Sequence, residues 1–92
     1  MRRAMLNELF PRLNGDWNKL NTILDRLDAL QPLLKKETYV FRLYFGVGGR
    51  GPLQLKEIAG ELGVNAAKAR QLKDCAHHRL WRSSSTHPEL WE

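Results

Sequence analysis

The 92-residue sequence contains a single cysteine, Cys75, so no disulfide can form within the chain. A chain without disulfides fits a reducing compartment, and we expect a cytoplasmic protein. No apolar run approaches the roughly 20 residues needed to cross a bilayer. The first ten residues lack the continuous apolar stretch of a signal peptide. The sequence also lacks internal repeats and low-complexity tracts. These absences favour one small globular domain and no membrane partner.

Residues that could support catalysis or bind a metal are also scarce. Cys75, His77 and His78 lie close together, but a structural zinc site needs four ligands and there is no second cysteine. Cys75 has no organised base beside it, so we predict a packed thiol. The glycine-rich segment 46–51 lacks the preceding strand and the Lys-Ser/Thr pair of a phosphate-binding loop. We therefore expect no enzyme activity, no cofactor and no metal.

Acidic residues are fewer than basic ones, and the formal net charge is +5. Residues 1–34 hold five basic and four acidic residues, whereas residues 35–82 hold ten basic and four acidic, a net charge of +6. Residues 83–92 hold two acidic residues and no basic one. The positive charge is therefore concentrated in the central part of the chain. This distribution favours an acidic partner, either nucleic acid or an acidic protein face.

The spacing of apolar residues predicts an all-α fold, because no segment alternates as a strand would. The predicted helices cover residues 17–30, 35–45, 55–62 and 66–81. Residues 5–13 also have helical spacing, broken by Pro11, and residues 83–92 form a polar tail that ends in a short turn. Four residues are suited to begin or end these helices, namely the N-caps Asp16 and Asn65 and the C-terminal glycines Gly46 and Gly63.

The helix at 17–30 carries a continuous apolar stripe along one face. We expect it to pack on the helix at 35–45 through Val40 and Phe41. Apolar surface left over would form a partner contact or a homo-oligomer through this N-terminal helix. The stripe consists of Trp17, Leu20, Ile23, Leu24, Leu27 and Leu30.

The two helices at 55–62 and 66–81 are joined by the short segment "GVN". Gly63 permits a sharp turn, Val64 is expected to fill the angle between the helices, and Ala59 allows close packing. An ordinary helical corner is the alternative, but this spacing favours a helix-turn-helix. The predicted buried residues of this motif are Leu43, Ile58, Leu62, Val64, Leu72 and Leu80.

Residues 33–82 carry a series of motifs in order, namely "FRLYFG", a glycine-rich loop ending in "PL", "KEIAGELGV", and "ARQL" followed by "A…RL". This segment resembles region 4 of bacterial primary-type sigma factors. The resemblance implies a small helical domain with a helix-turn-helix whose last long helix enters the DNA major groove at the minus-35 promoter element. It also implies that another face binds the flap of the RNA polymerase β subunit.

The departures from the family pattern concern residues close to the DNA. Gln54 stands where the family usually has Thr, and it is a poorer cap. Asn65 still caps the last helix, but Ala66 and Ala67 replace residues that the family usually has as Arg and Glu. Asp74 stands where the family tends to have a small residue. The resemblance therefore implies weaker base recognition than the family pattern would give.

The periodicity of the last helix places Ala69, Leu72, Ala76 and Leu80 on its core face. The opposite face then presents Ala67, Arg70, Gln71, Asp74 and His78. Arg70 could pair with a guanine and Gln71 with an adenine, whereas Asp74 would need a cytosine amino group. The lateral cations Lys68, Lys73, Arg79 and Arg82 are expected to contact phosphates.

These observations predict a DNA-binding helix-turn-helix module of bacterial or phage transcription, acting with RNA polymerase at promoter DNA. Residues 1–32 would form an N-terminal helical segment, residues 33–82 the sigma-region-4-like unit, and residues 83–92 a tail. One alternative is a protein-interaction module that keeps this fold to bind RNA polymerase or a regulator. Another is a DNA-binding subunit of a larger nucleic-acid machine.

Overall fold

Helices form nearly all of the regular structure in the computed structural model, which describes residues 2–91 apart from the side chain of Arg3. This part of the chain contains five α-helices, three short 3₁₀ turns and no strand. The helices are α1 (Arg2–Leu9), α2 (Trp17–Leu30), α3 (Lys35–Phe45), α4 (Leu55–Leu62) and α5 (Ala66–Thr86). The 3₁₀ turns are Pro11–Leu13, Pro32–Leu34 and Pro88–Trp91. The predicted all-helical fold is confirmed, although α5 continues beyond residue 81. Met1 and Glu92, the outer ends of the predicted segments 1–32 and 83–92, lie outside the described residues.

The predicted residues begin and end the helices. The carboxylate of Asp16 accepts a hydrogen bond from the backbone N–H of Lys19 at 3.0 Å and so caps α2. Gly46 ends α3 with a φ of 68°, and a Cβ at this position would lie 2.6 Å from the backbone nitrogen of Pro52. At the start of α4, the Glu57 carboxylate accepts from the backbone N–H of Gln54 at 3.1 Å. This bond stabilises the start of α4 although Gln54 is not a preferred cap.

α3 lies at the centre of the fold because it is apolar on two sides. Phe41 and Phe45 pack into a cluster with α1, α2 and the later part of α5. Val40 and Leu43, which lie on a different side of the helix, pack with α4 and the start of α5. Tyr44 lies between the two groups and contacts both clusters.

The N-terminal segment belongs to the main core. In α1 and the turn after it, Leu6, Phe10 and Leu13 are buried, and they share one cluster with α2 and α3. The α2 stripe is covered at its centre, whereas Trp17 is half-buried and Leu30 is exposed. The predicted packing on α3 is correct for Phe41 but wrong for Val40, which faces α4 and α5 instead. The buried residues of the stripe are Leu20, Ile23, Leu24 and Leu27.

The segment predicted as a polar tail packs on the core. Residues 83–86 continue α5, and the predicted short turn is the 3₁₀ turn Pro88–Trp91. Leu90 and Trp91 are buried beside Phe10, and the Trp91 ring lies 6.1 Å from the Phe10 ring. The Trp91 indole N–H donates to Oγ of Ser83 at 2.8 Å. Both outer parts of the described chain therefore complete the same core.

The radius of gyration is 12.5 Å, close to the roughly 12 Å expected for a compact chain of this length. The chain is therefore about as compact as a single folded domain of its length. None of the described helices combines the length and apolar composition that crossing a bilayer requires.

Candidate nucleic-acid interface

The start of α5 is fixed by its local sequence. Gly63 ends α4 with a φ of 68°, a left-handed conformation that favours glycine. Two residues later, the side chain of Asn65 accepts a hydrogen bond from the backbone N–H of Lys68 at 2.7 Å. The two helices also pack closely, because Ala59 and Ala69 are both small and both buried in one cluster with Ile58. This packing fixes the direction in which α5 leaves the turn.

Val64 does not fill the angle between α4 and α5, so that prediction was wrong. Its side chain is 36% exposed, because Ile58, Ala59 and Ala69 already close the contact between the helices. Leu62 and Leu72 are half-buried and not fully buried as predicted. The other predicted core residues of the motif are buried, namely Leu43, Ile58 and Leu80.

The outer face of α5 is exposed as its periodicity predicts. Ala69, Ala76 and Leu80 are buried on the inner face, together with Ser83. The residues on the opposite side are all exposed, namely Ala67, Arg70, Gln71, Asp74 and His78. The helix therefore presents one polar face to solvent along its first three turns.

Arg70 and Gln71 are the two side chains on this face that have the geometry of base-reading groups. Both are exposed, and no hydrogen bond or ion pair from the described residues engages either side chain. A free guanidinium can give two parallel hydrogen bonds to guanine, and a free amide can do so with adenine. Neither side chain would have to break a hydrogen bond or an ion pair within the described residues in order to contact a base.

Two further cations near this face are also exposed. Lys68 lies in the first turn of α5, where the positive end of the helix dipole adds to its charge. Arg82 lies in the later part of the helix, about 18 Å along the axis from Arg70. Among residues 2–91 no ion pair or hydrogen bond holds either side chain. Because a major groove is about 12 Å wide, Arg82 would lie beyond a groove that contains Arg70.

Lys73 and Asp74 are engaged with each other. The Lys73 ammonium lies 3.0 Å from the Asp74 carboxylate and 4.6 Å from the centre of the Tyr44 ring. The Lys73 side chain is only 18% exposed, whereas that of Asp74 is 53% exposed. The guanidinium of Arg2 also lies over the Tyr44 ring, 4.0 Å from its centre. A phosphate contact from Lys73 would have to break this arrangement.

Arg79 is engaged with the start of α3 and the turn before it. Its guanidinium lies 3.1 Å from the Glu37 carboxylate and donates to Oε1 of Gln31 at 3.0 Å and to the carbonyl of Leu34 at 3.3 Å. The side chains of Arg79 and Glu37 are only 15% and 14% exposed. Arg79 thus holds α5 against α3, and a phosphate contact would compete with this ion pair.

Trp81, which was not among the predicted DNA contacts, is 59% exposed. It follows Arg70 by eleven residues, which places it about 20° from Arg70 around the helix and about 16 Å further along. The helical periodicity that placed Arg70 outside could therefore have found Trp81. A polar face and an exposed indole thus lie in one line along α5.

The thiol and imidazole groups form no organised site among the described residues. Cys75 is a half-buried free thiol, and no group of three His, Cys, Asp or Glu residues is placed to hold a metal ion in this part of the chain. Burial lowers the pKa of His77, and the nearby His78 lowers it further. The His77 ring lies edge-on to Phe10 with 5.6 Å between ring centres. His77 therefore faces the core.

No protein-family model, curated protein or solved structure matches this chain. The functional interpretation of these sites therefore rests on the residues themselves and on their geometry.

Proposed function

We propose that the chain is a DNA-binding helix-turn-helix module, formed by α4, the turn 63–65 and α5, that acts with RNA polymerase in bacterial or phage transcription. One observation carries the proposal. Arg70 and Gln71 stand side by side on the exposed face of α5, close to its capped start, and no hydrogen bond or ion pair from the described residues engages their side chains. The ordered resemblance of residues 33–82 to sigma region 4 supports the same function.

In this proposal Arg70 and Gln71 contact base edges, and Lys68 and Arg82 contact phosphates. We omit Lys73 and Arg79 from the phosphate contacts because Asp74, Tyr44 and Glu37 already engage them. Ala66 and Ala67 supply no hydrogen-bonding side chain to the groove. The proposed interface thus has few contacts of each kind, and its affinity should be modest.

The test is a selection of labelled duplexes from a random pool at low salt, followed by salt titration of the selected and random DNA. Arg70→Ala should remove about 1–3 kcal/mol of discrimination, or about 5- to 150-fold of the preference for the selected site. Lys68→Ala should weaken binding to all duplexes and reduce the log–log salt slope by about 0.9. Core RNA polymerase, added without DNA, tests the second partner.

Lys19→Ala is a control that removes the same charge as Lys68→Ala from a different helix, α2. An equal loss of affinity in Lys19→Ala and Lys68→Ala would mean that only the net charge matters. An equal loss on every duplex in Arg70→Ala would make Arg70 a backbone contact and remove base recognition from the proposal.

A protein-interaction module is the second candidate, and Asp74 favours it. The side chain of Asp74 is 53% exposed on the proposed DNA face, where its carboxylate would repel phosphates. If duplex DNA shows no salt-sensitive binding while RNA polymerase binds, the protein-interaction function is the correct one.

A further inference from the structure

A shallow groove of about 340 Å³ lies between the start of α3 and the junction of α4 with α5. Its apolar lining comes from three separate parts of the chain. Leu33 and Leu34 belong to the turn before α3, Leu62 and Val64 to the α4–α5 junction, and Leu72 to α5. Leu62, Val64 and Leu72 were predicted to be buried in the motif core, but they are only partly buried or exposed and line this groove instead.

The aliphatic side chains of this lining are grouped together in one place on the surface. Single exposed leucines are common on protein surfaces, but here several aliphatic side chains border one concavity. Leu33 is 96% exposed, and Val64 is 36% exposed. Their position in a groove favours a docking surface over scattered surface residues.

Two lysines border the groove from different helices. Lys36 belongs to α3 and Lys68 to α5, and both are exposed. No carboxylate of the described residues forms an ion pair with either lysine. Glu37 also borders the groove, but its carboxylate pairs with Arg79 at 3.1 Å. The groove thus has an apolar floor and an uncompensated positive rim.

We propose that this groove docks an acidic amphipathic segment of a partner protein. Aliphatic side chains of that segment fill the floor, and its carboxylates pair with Lys36 and Lys68. The lining contains no aromatic ring on which nucleic-acid bases could stack, so the groove chemistry suits a peptide better than a single strand. This inference does not depend on DNA binding by Arg70.

If α5 also binds DNA as proposed, the groove and the DNA interface share one residue. Lys68 borders the groove and is at the same time a proposed phosphate contact. A bound acidic segment would neutralise Lys68, so the partner and duplex DNA should compete in part. Only this competition rests on the proposed function.

The experiment begins with a phage-displayed library of random peptides, panned on the full chain and counter-selected on Leu33→Glu. Enriched peptides should combine Leu, Ile or Phe with Asp and Glu. Their synthetic, fluorescently labelled versions should bind wild type more tightly than Leu33→Glu by about tenfold or more, as expected when an interface loses an apolar anchor. Lys36→Glu should weaken the same peptides.

The matched control is Leu30→Glu, because Leu30 is also an exposed leucine but lies outside the groove. It should bind the peptides as wild type does, and circular dichroism melts should show that all variants fold. Enriched peptides that are not acidic, that bind Leu33→Glu equally, or that never emerge would overturn the proposal. So would a concentration-dependent dimer lost in Leu33→Glu, since a second copy would then fill the groove. A loss of duplex affinity in Leu33→Glu without peptide binding would assign the groove to the DNA interface.

Discussion

The cations of α5 differ in what surrounds them, and this decides what each can do. Arg70 points to solvent, whereas Arg79, nine residues later, is held by Glu37 and the turn before α3. Lys73 is held by Asp74 and the ring of Tyr44. Glu37 and Tyr44 belong to α3, which is far from α5 in the sequence. A helical wheel therefore places each cation on a face but does not show whether a neighbouring helix engages it.

His77 should make the stability of the protein depend on pH. Burial and the nearby His78 lower its pKa in the folded protein, while the unfolded chain keeps a pKa of about 6.5. Below that value the unfolded state binds more protons than the native state, so stability is lost as the pH falls. Wild type should therefore lose more stability than His77→Gln when the pH is lowered from about 7 to about 5.

Urea denaturation at both pH values measures this difference, and His78→Gln serves as the control. His78→Gln should keep most of the pH dependence, because burial is the larger cause of the His77 shift. An identical pH dependence in wild type and His77→Gln would show that other groups control acid stability.

At the scale of elements, the helix bounds follow from local sequence, whereas the partners of each face do not. Asp16, Gly46, Gly63 and Asn65 mark helix ends through short-range hydrogen bonds and left-handed turns, so the sequence predicted them correctly. The apolar pattern of α3 did not reveal that the helix contacts two separate clusters. Val64 was misplaced for the same reason, since its burial depends on how closely Ala59 and Ala69 pack.

Only part of the candidate site could be predicted from the sequence. The exposed positions of Arg70 and Gln71 follow from the period of α5 alone. The groove does not, because Leu33, Val64 and Leu72 come together only when three elements pack. The two leucines after Pro32 carry no signal of that arrangement in the sequence.

A charge on the buried face of α2 should unfold the domain. Leu24 is fully buried among residues of the same chain, so Leu24→Asp would place a carboxylate in the core. The cost should exceed roughly 4 kcal/mol, a large part of the stability of a domain this small. Circular dichroism should show lost helicity, and sedimentation of the wild type should show a monomer.

Leu30→Asp on the same helix is the control, because Leu30 is 53% exposed. It should change stability by no more than about 0.5 kcal/mol. A folded Leu24→Asp protein with a smaller mass in solution than wild type would instead identify α2 as an oligomer interface.

At the scale of the whole molecule, residues far apart in sequence complete one core. Phe10 contacts the rings of both His77 and Trp91, and the guanidinium of Arg26 donates to the carbonyl of Leu90 at 2.9 Å. The Trp91 side chain is 2% exposed and carries the hydrogen bond to Ser83. The turn Pro88–Trp91 is therefore a structural part of the domain.

Trp91→Ala tests how much the turn Pro88–Trp91 contributes to the stability of the core. Loss of this buried ring should lower the free energy of unfolding by about 3–5 kcal/mol. Trp81→Ala removes the same side chain from an exposed position and should cost no more than about 0.5 kcal/mol. Urea denaturation followed by circular dichroism compares the two variants. Equal costs would mean that Trp91 does not pack as described.

The contact between Phe10 and Trp91 also bears on how the protein is made. A ribosome synthesises α1 first, yet Leu6 and Phe10 share a core with Leu90 and Trp91, which leave the exit tunnel about eighty residues later. Until then, the nascent chain exposes apolar side chains that have no completed core to enter. The domain should therefore acquire its full stability only after translation has passed residue 91, and chaperones would have access to α1 and α2 throughout that interval.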